Sequence, residues 1–304
     1  MASQRDVRNK IASVKNIQKI TRAMEMVAGA RLRRAEQRIE ALRPYADGMR
    51  RMARQAAVAA GSQAERQPLL AEHETVDNVG LLLVTGDRGL AGGFNSQIIR
   101  AGVRLAAELG EAGKTPLWYA TGRRGVSSIA FRGNELTGAY TGFSDRPGYA
   151  DARTIADDVM TGYVDGTLDR VELIYNSYIS PLTQRVTREV LLPLSQAIVN
   201  VDGDEDADGD EQQAEQGPPQ PVEYEPDPQT ILQRLVPDYI EVSIYRALVE
   251  SAAGFYGAQM TAMRSASDNA GEIITDYTLQ MNRARQAEIT QEIMEVVAGA
   301  EGLS

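Results

Sequence analysis

The 304-residue chain has no cysteine, which excludes disulfides, thiolate catalysis and Cys-ligated metal centres. Its one histidine, His73, lies between Glu72 and Glu74; it reads as a solvated loop residue, and one imidazole cannot build a metal site. Four Phe and one Trp are few for this length. An apolar content drawn mainly from Ala, Leu, Ile, Val and Met suits a helix-rich protein better than a β-sandwich. No apolar run approaches the ~20 residues that span a bilayer. The N-terminus lacks a signal-peptide core and enters a helical pattern within its first ten residues, so no cleavable leader is expected and the chain reads as cytosolic.

Charge is abundant but segregated. The net charge is -10, yet residues 1–54 carry 14 Lys/Arg against 5 Asp/Glu, whereas residues 202–227 carry 11 acidic residues and no basic one. The last 67 residues hold 4 Arg and 10 acidic residues. A basic first segment and an acidic last one attract each other.

Both termini carry helical periodicity. From Asp238 to about Ala300, apolar residues recur at steps of three and four: Ile240, Ile244, Leu248, Ala252, Phe255, Met263, Ala266, Ile273, Tyr277, Met281, Ala284, Ile293 and Val296. An unbroken helix of that length reaches roughly 95 Å, too long for one compact domain to cover, so much of it must meet another helix or another protein. Residues 3 to about 58 predict a second long helix. Its stripe is Val7, Ile11, Val14, Ile17, Ile20, Met24 and Val27, continued after a shift by Leu32, Ala35, Ile39 and Leu42. The simplest use of that stripe is a coiled-coil seam with the C-terminal helix. Arg31, Arg33, Arg34 and Arg38 raise a nucleic-acid arm as an alternative, but no aromatics are interleaved for base stacking. Arg43-Pro44-Tyr45 predicts a bend.

Between the helices the texture changes. A polar stretch, Gly61 to Asn78, leads to a short apolar strand (Val79 to Thr85), a glycine-rich turn (Gly86 to Gly93) and a helix from about Asn95 to Leu109. Leu117 to Thr121 and Val171 to Tyr178 read as strands, with helices after Gly122 and over Tyr149 to Val164. Gln184 to Leu191 reads as a hairpin partner after Ser180-Pro181. Alternating strands and helices predict an α/β domain with a mostly parallel sheet and one antiparallel edge. The turn's order, G-x-x-G-x-x-G-G, matches neither a dinucleotide fingerprint nor a Walker loop. A helix N-terminus after a strand can still hold an anion, so a nucleotide-binding α/β protein with a coiled-coil oligomerisation arm is the alternative reading. On the simpler reading the glycines permit a tight turn while Asp87 and Arg88 make local or partner contacts.

Asp202 to Gln216 is a low-complexity acidic tract followed by a proline-rich stretch, with no core-forming residues. Asp202, Asp204 and Asp206 lack the Gly and Glu that an EF-hand loop requires. Asp227 and Pro228 predict a helix start, a cap followed by Pro at the first position. Pro237 then predicts a break before the long helix.

Two terminal motifs carry a resemblance. Lys10 to Ala28 (KIASVKNIQKITRAMEMVA) and Asn282 to Ile293 (NRARQAEITQEI) closely resemble the ends of the gamma subunit of F-type ATP synthases. The Asp87 to Asn95 turn, Tyr224 to Pro228, and Ala262-Met263 through Asn269-Ala270 are similar to the same family, so the resemblance runs the length of the chain. It implies an α/β protein with long helices: an antiparallel two-helix coiled coil from the two termini plus a central Rossmann-like α/β domain. The implied division is residues 1–60 as the first helix, 75–195 as the α/β domain, 202–227 as an acidic linker and 228–304 as the last helix. The implied function is that of a non-catalytic rotor shaft, carrying c-ring rotation to catalytic sites on three beta subunits.

The implied partners are three alpha and three beta subunits, epsilon, delta and the c-subunit ring, with no nucleic acid and no cofactor. The implied location is peripheral, at the cytoplasmic face of a bacterial plasma membrane. Met24 matches the position bearing on the beta lever region, and Arg285, Gln286 and Thr290 match those bonding to the beta catch loops. The alternative reading of Met24 and Thr290 is coiled-coil packing alone. Tyr224 and Glu225 match a segment near the c ring and epsilon. Ala91 stands where many relatives have Cys.

Overall fold

The computed structural model describes residues 4–61, 67–194 and 227–301. Tyr224, Glu225 and the acidic tract lie outside the described residues. The chain forms two compact units, one of Met1–Ala30 with Gln259–Ser304, the other of Arg31–Ala258.

The larger unit contains a five-stranded sheet. Helix α1 (Gln4–Ala60) enters it, followed by β1 (Asn78–Val84), α2 (Phe94–Glu111), β2 (Thr115–Thr121), α3 (Arg123–Phe131), β3 (Leu136–Tyr140), α4 (Tyr149–Val164), β4 (Arg170–Tyr178), β5 (Gln184–Leu192) and α5 (Pro228–Glu301). Strand order is β3-β2-β1-β4-β5. All neighbours are parallel except β4 and β5, the expected antiparallel edge. Strand β1 lies between two parallel neighbours and is buried on both faces, which is why its sequence is a continuous Leu-Leu-Leu-Val run and not an alternation. Leu82, Val84, Leu173 and Tyr175 form a core with α4, with Ala46 to Ala56 of α1 and with Leu232 to Leu248 of α5. Gly102 of α2 lies over Leu83, where a Cβ would stand 2.7 Å from a Leu83 methyl, so α2 can approach the sheet only with glycine there.

Three sequence expectations are corrected. Pro237 does not break the chain before the long helix: α5 runs on through it, as α1 runs through Pro44 within the single long helix that was expected. An internal proline costs about 3 kcal/mol, and here the buried neighbours Ile39, Ala46 and Met49 on α1, and Val236 and Ile240 on α5, hold the helices to the core. Strand β3 was not foreseen, because Leu136–Tyr140 is a half-exposed edge containing Gly138. His73 is not simply solvated. Its Nδ1 lies 2.8 Å from Asp169 Oδ1, its ring stacks on Tyr163 at 4.5 Å, and the Tyr163 hydroxyl donates to the Ala71 carbonyl, so the segment leading to β1 is clipped to the α4–β4 turn. The predicted cap at Asp227 is present: its carboxylate accepts from the Thr230 amide at 2.9 Å and the Thr230 hydroxyl at 2.7 Å.

Candidate functional site

The smaller unit is an antiparallel pair of helices. Lys10 lies 5.7 Å from the Tyr277 ring, Gln18 Nε2 donates to the Ser267 carbonyl at 3.2 Å, Arg264 Nε donates to Glu25 at 2.8 Å, and Gly29 faces the Met260 sulfur. As one number rises the other falls, which fixes direction and register.

The seam follows a strict alternation of four and three steps. On α1 it is Val7, Ile11, Val14, Gln18, Thr21, Glu25 and Ala28, continued along the helix by buried Leu32, Ala35 and Ile39. On α5 it is Met260, Met263, Ser267, Ala270, Ile274, Tyr277, Met281 and Ala284. This is the 3.5-residue repeat of a left-handed coiled coil. The seam expected from the sequence is corrected here. Ile17, Ile20 and Val27 are 51%, 59% and 53% exposed, and the polar Gln18 and Thr21 take the inward positions. No shift is needed at Leu32 once the polar residues are counted. Ile17, Ile20, half-buried Met24 and Val27 instead form a second apolar stripe facing outward, a surface that choosing apolar residues alone had merged with the seam.

Among the described residues the C-terminal tip has no such partner. The register sets Gln4, the start of α1, opposite about residue 283. From Arg285 to Ala298 every residue of α5 is exposed, including Ile289, Ile293, Met294, Val296 and Val297. Arg285, Gln286 and Thr290 therefore stand together on an unpaired helix, with the Thr290 hydroxyl donating back to the Gln286 carbonyl at 2.9 Å. Thr290 does not pack in the coiled coil. Met24 is elsewhere: its level on α5 lies near Arg264, roughly 30 Å along the helix from Arg285 at ~1.5 Å per residue.

At the alternative site, the glycine-rich turn, the inner crevice is filled, while an open concavity of about 660 Å³ lined by Asp87, Asn95, Arg123 and Arg124 remains on its outer side. The turn follows β1, where the strand order reverses and where open α/β sheets hold ligands. Phe255 of α5 occupies that crevice, edge-on to Phe94 at 5.6 Å and packed on Gly86. About 10 Å³ is left, the room of one water at most. Asp87 is committed to the protein itself. Its carboxylate accepts from the Arg123, Gly142 and Ser144 amides and from the Ser144 hydroxyl at 2.8 Å, tying together the ends of β1, β2 and β3. Burial pushes this carboxyl up, but the hydrogen bonds from Ser144, Gly142 and Arg123 outweigh it and hold its pKa below the ordinary value. Leu90 and Gly92 take the positive-φ positions that bend the turn.

A family model described as ATP synthase matches residues 3–303. An ATP synthase gamma chain of Rubrobacter xylanophilus is 41% identical over 304 residues, covering 100% of this chain and 99% of its own. The chain belongs to the ATP synthase gamma-chain family. A second gamma chain, from Parafrankia, is 39% identical over 309 residues, covering 100% of this chain and 99% of that one. The fold is also that of a chain in a solved Euglena gracilis mitochondrial ATP synthase, with a TM-score of 0.65 at 15% identity, covering 99% of this chain and 94% of that one. The resemblance carried by the two terminal motifs is thus borne out over the full length, and the central-stalk function it implies is that of the gamma-chain family.

Proposed function

We propose that the chain is the non-catalytic shaft of a rotary ATP synthase, carrying rotation of a membrane-embedded c ring to the catalytic sites of three beta subunits. The observation that carries this reading is the unpaired tip of α5. Fourteen consecutive exposed residues, five of them large and apolar, are costly to leave in water and suit a helix sheathed by other subunits. Arg285 offers a two-pronged donor to a beta-subunit carboxylate, and Gln286 and Thr290 add polar contacts on the same segment. Met24 and the outward stripe around it bear on the beta subunits one level lower.

The mechanism follows from symmetry. A two-helix rod has no threefold axis, so three chemically identical beta subunits around it meet three different faces. Contact with one face stabilises one beta conformation over the others, and turning the rod passes each conformation to the next subunit. The division of labour is residues 1–60 and 228–304 as shaft helices and 75–195 as the foot, with Tyr224 and Glu225 in a segment assigned to the c ring and epsilon. Alpha, delta and epsilon subunits complete the assembly. Among the described residues no helix is long and apolar enough to cross a membrane, which fits docking at the cytoplasmic face through the c ring. Charge reversal, Arg285→Glu, tests the catch role: torque or assembly in the reconstituted complex should fall, and unchanged coupling would count against it.

A further inference from the structure

Arg31, Arg34 and Arg38 lie on one face of α1 at steps of three and four, within the larger unit, and line a cavity of about 370 Å³ with Arg146 of the β3–α4 loop and Tyr256 of α5. The volume is in the range of small-molecule sites. The cavity's one lining acid is Asp145, and it is already engaged: its Oδ2 lies 3.4 Å from Arg31 and 3.5 Å from Arg88. The Tyr256 hydroxyl donates to the Asp145 carbonyl at 2.9 Å, and Arg31 sits over the Tyr256 ring at 5.7 Å. One wall is thereby fixed. Among the described residues Arg34, Arg38 and Arg146 make no ion pair, and all three are exposed.

Three unpaired guanidinium groups around one concavity repel one another unless an anion lies among them. The row from Arg31 to Arg38 extends about 10 Å along the helix. A single tetrahedral anion engages at most part of such a row, whereas a chain of linked phosphates presents negative oxygens along its length to successive two-pronged donors. We propose that this cavity is a binding site for a linear polyphosphate, with Arg34, Arg38 and Arg146 as the ligating groups and Arg31, locked by Asp145 and Tyr256, as the fixed end. The site does not depend on the shaft reading.

The test is calorimetric titration of the full-length chain with sodium tripolyphosphate at about 0.15 M salt, where long-range attraction is screened beyond roughly 8 Å. Saturable one-to-one binding is expected. It should weaken about tenfold or more in the double variant Arg34→Gln/Arg38→Gln, as two charge-assisted contacts are lost, and hold in Arg100→Gln/Arg104→Gln, which removes the same charge from α2. Both pairs are at the helix surface, and far-ultraviolet circular dichroism confirms that each variant is folded. Absence of saturable binding, or equal weakening in the two double variants, would overturn the proposal. So would saturable binding of an acidic peptide where tripolyphosphate fails, a result that assigns the arginines to a protein partner.

Discussion

Phe255 stands edge-on to Phe94, ring centroids 5.6 Å apart, in the crevice where a sheet of this topology ordinarily receives a ligand. The long C-terminal helix is thus a structural part of the α/β unit as well as its neighbour. Phe255→Ala is expected to lower stability by about 3–5 kcal/mol, read as a lower midpoint in thermal or denaturant unfolding of the full chain. A loss under about 1 kcal/mol would mean that the crevice does not need its plug.

The seam and the outward stripe of α1 make opposite predictions. Ile11→Ala, in the seam, should cost about 2–5 kcal/mol. Ile17→Ser and Ile20→Ser, on the exposed stripe, should each change the stability of the isolated chain by no more than about 0.5 kcal/mol yet weaken assembly with alpha and beta subunits. Unfolding curves together with a pull-down of the subunits separate the two effects. Equal destabilisation at positions 11 and 17 would restore the seam read from apolar residues alone.

That contrast marks where the sequence was legible. Helix against strand was readable, since β1 is a short continuous apolar run bounded by turn residues while the long repeats of α1 and α5 fit the helical period. The parallel sheet with its antiparallel edge followed from element order. The seam was not readable, because a coiled coil tolerates Gln18, Thr21 and Ser267 inside when neighbouring Val7, Ile11 and Met263 supply the burial. Pro237 misled for a related reason: tertiary packing outweighed a local penalty. His73 was misread because its partners, Asp169 and Tyr163, are about ninety residues away. The tip residues Arg285, Gln286 and Thr290 were legible only through family motifs, for nothing in their spacing distinguishes an exposed functional tip from an ordinary helical surface.

Asp87 gives a pH prediction. Its pKa is held below its ordinary value of 3.8 in the folded chain. A depressed carboxyl contributes stability above its unfolded pKa and loses it as pH falls through the folded one. Asp87→Asn should therefore cost about 1–3 kcal/mol near pH 7, from lost charge-assisted hydrogen bonds, and the gap from the parent chain should close below about pH 4. Chemical denaturation at pH 7, 5 and 3.5 measures it; a gap that widens on acidification would contradict the assignment.

Gly122 joins β2 to α3 at φ 80°, and a Cβ there would lie 2.2 Å from the Thr85 carbonyl oxygen. Gly122→Ala meets both backbone strain and a main-chain clash, so a loss of at least about 2–3 kcal/mol is expected, detectable as reduced soluble yield and a lower unfolding midpoint.

The central claim is that this chain is a shaft whose unpaired tip engages a ring of catalytic subunits. The most direct measurement is reconstitution of the alpha and beta subunits with the full chain or with a version ending at Ala284, recording stoichiometry, ATP hydrolysis and rotation of the bound chain. The account predicts one copy per assembly of three alpha and three beta subunits, ATP-driven rotation with the full chain, and weakened assembly or torque without the tip. A monodisperse homodimer that binds neither subunit would contradict it.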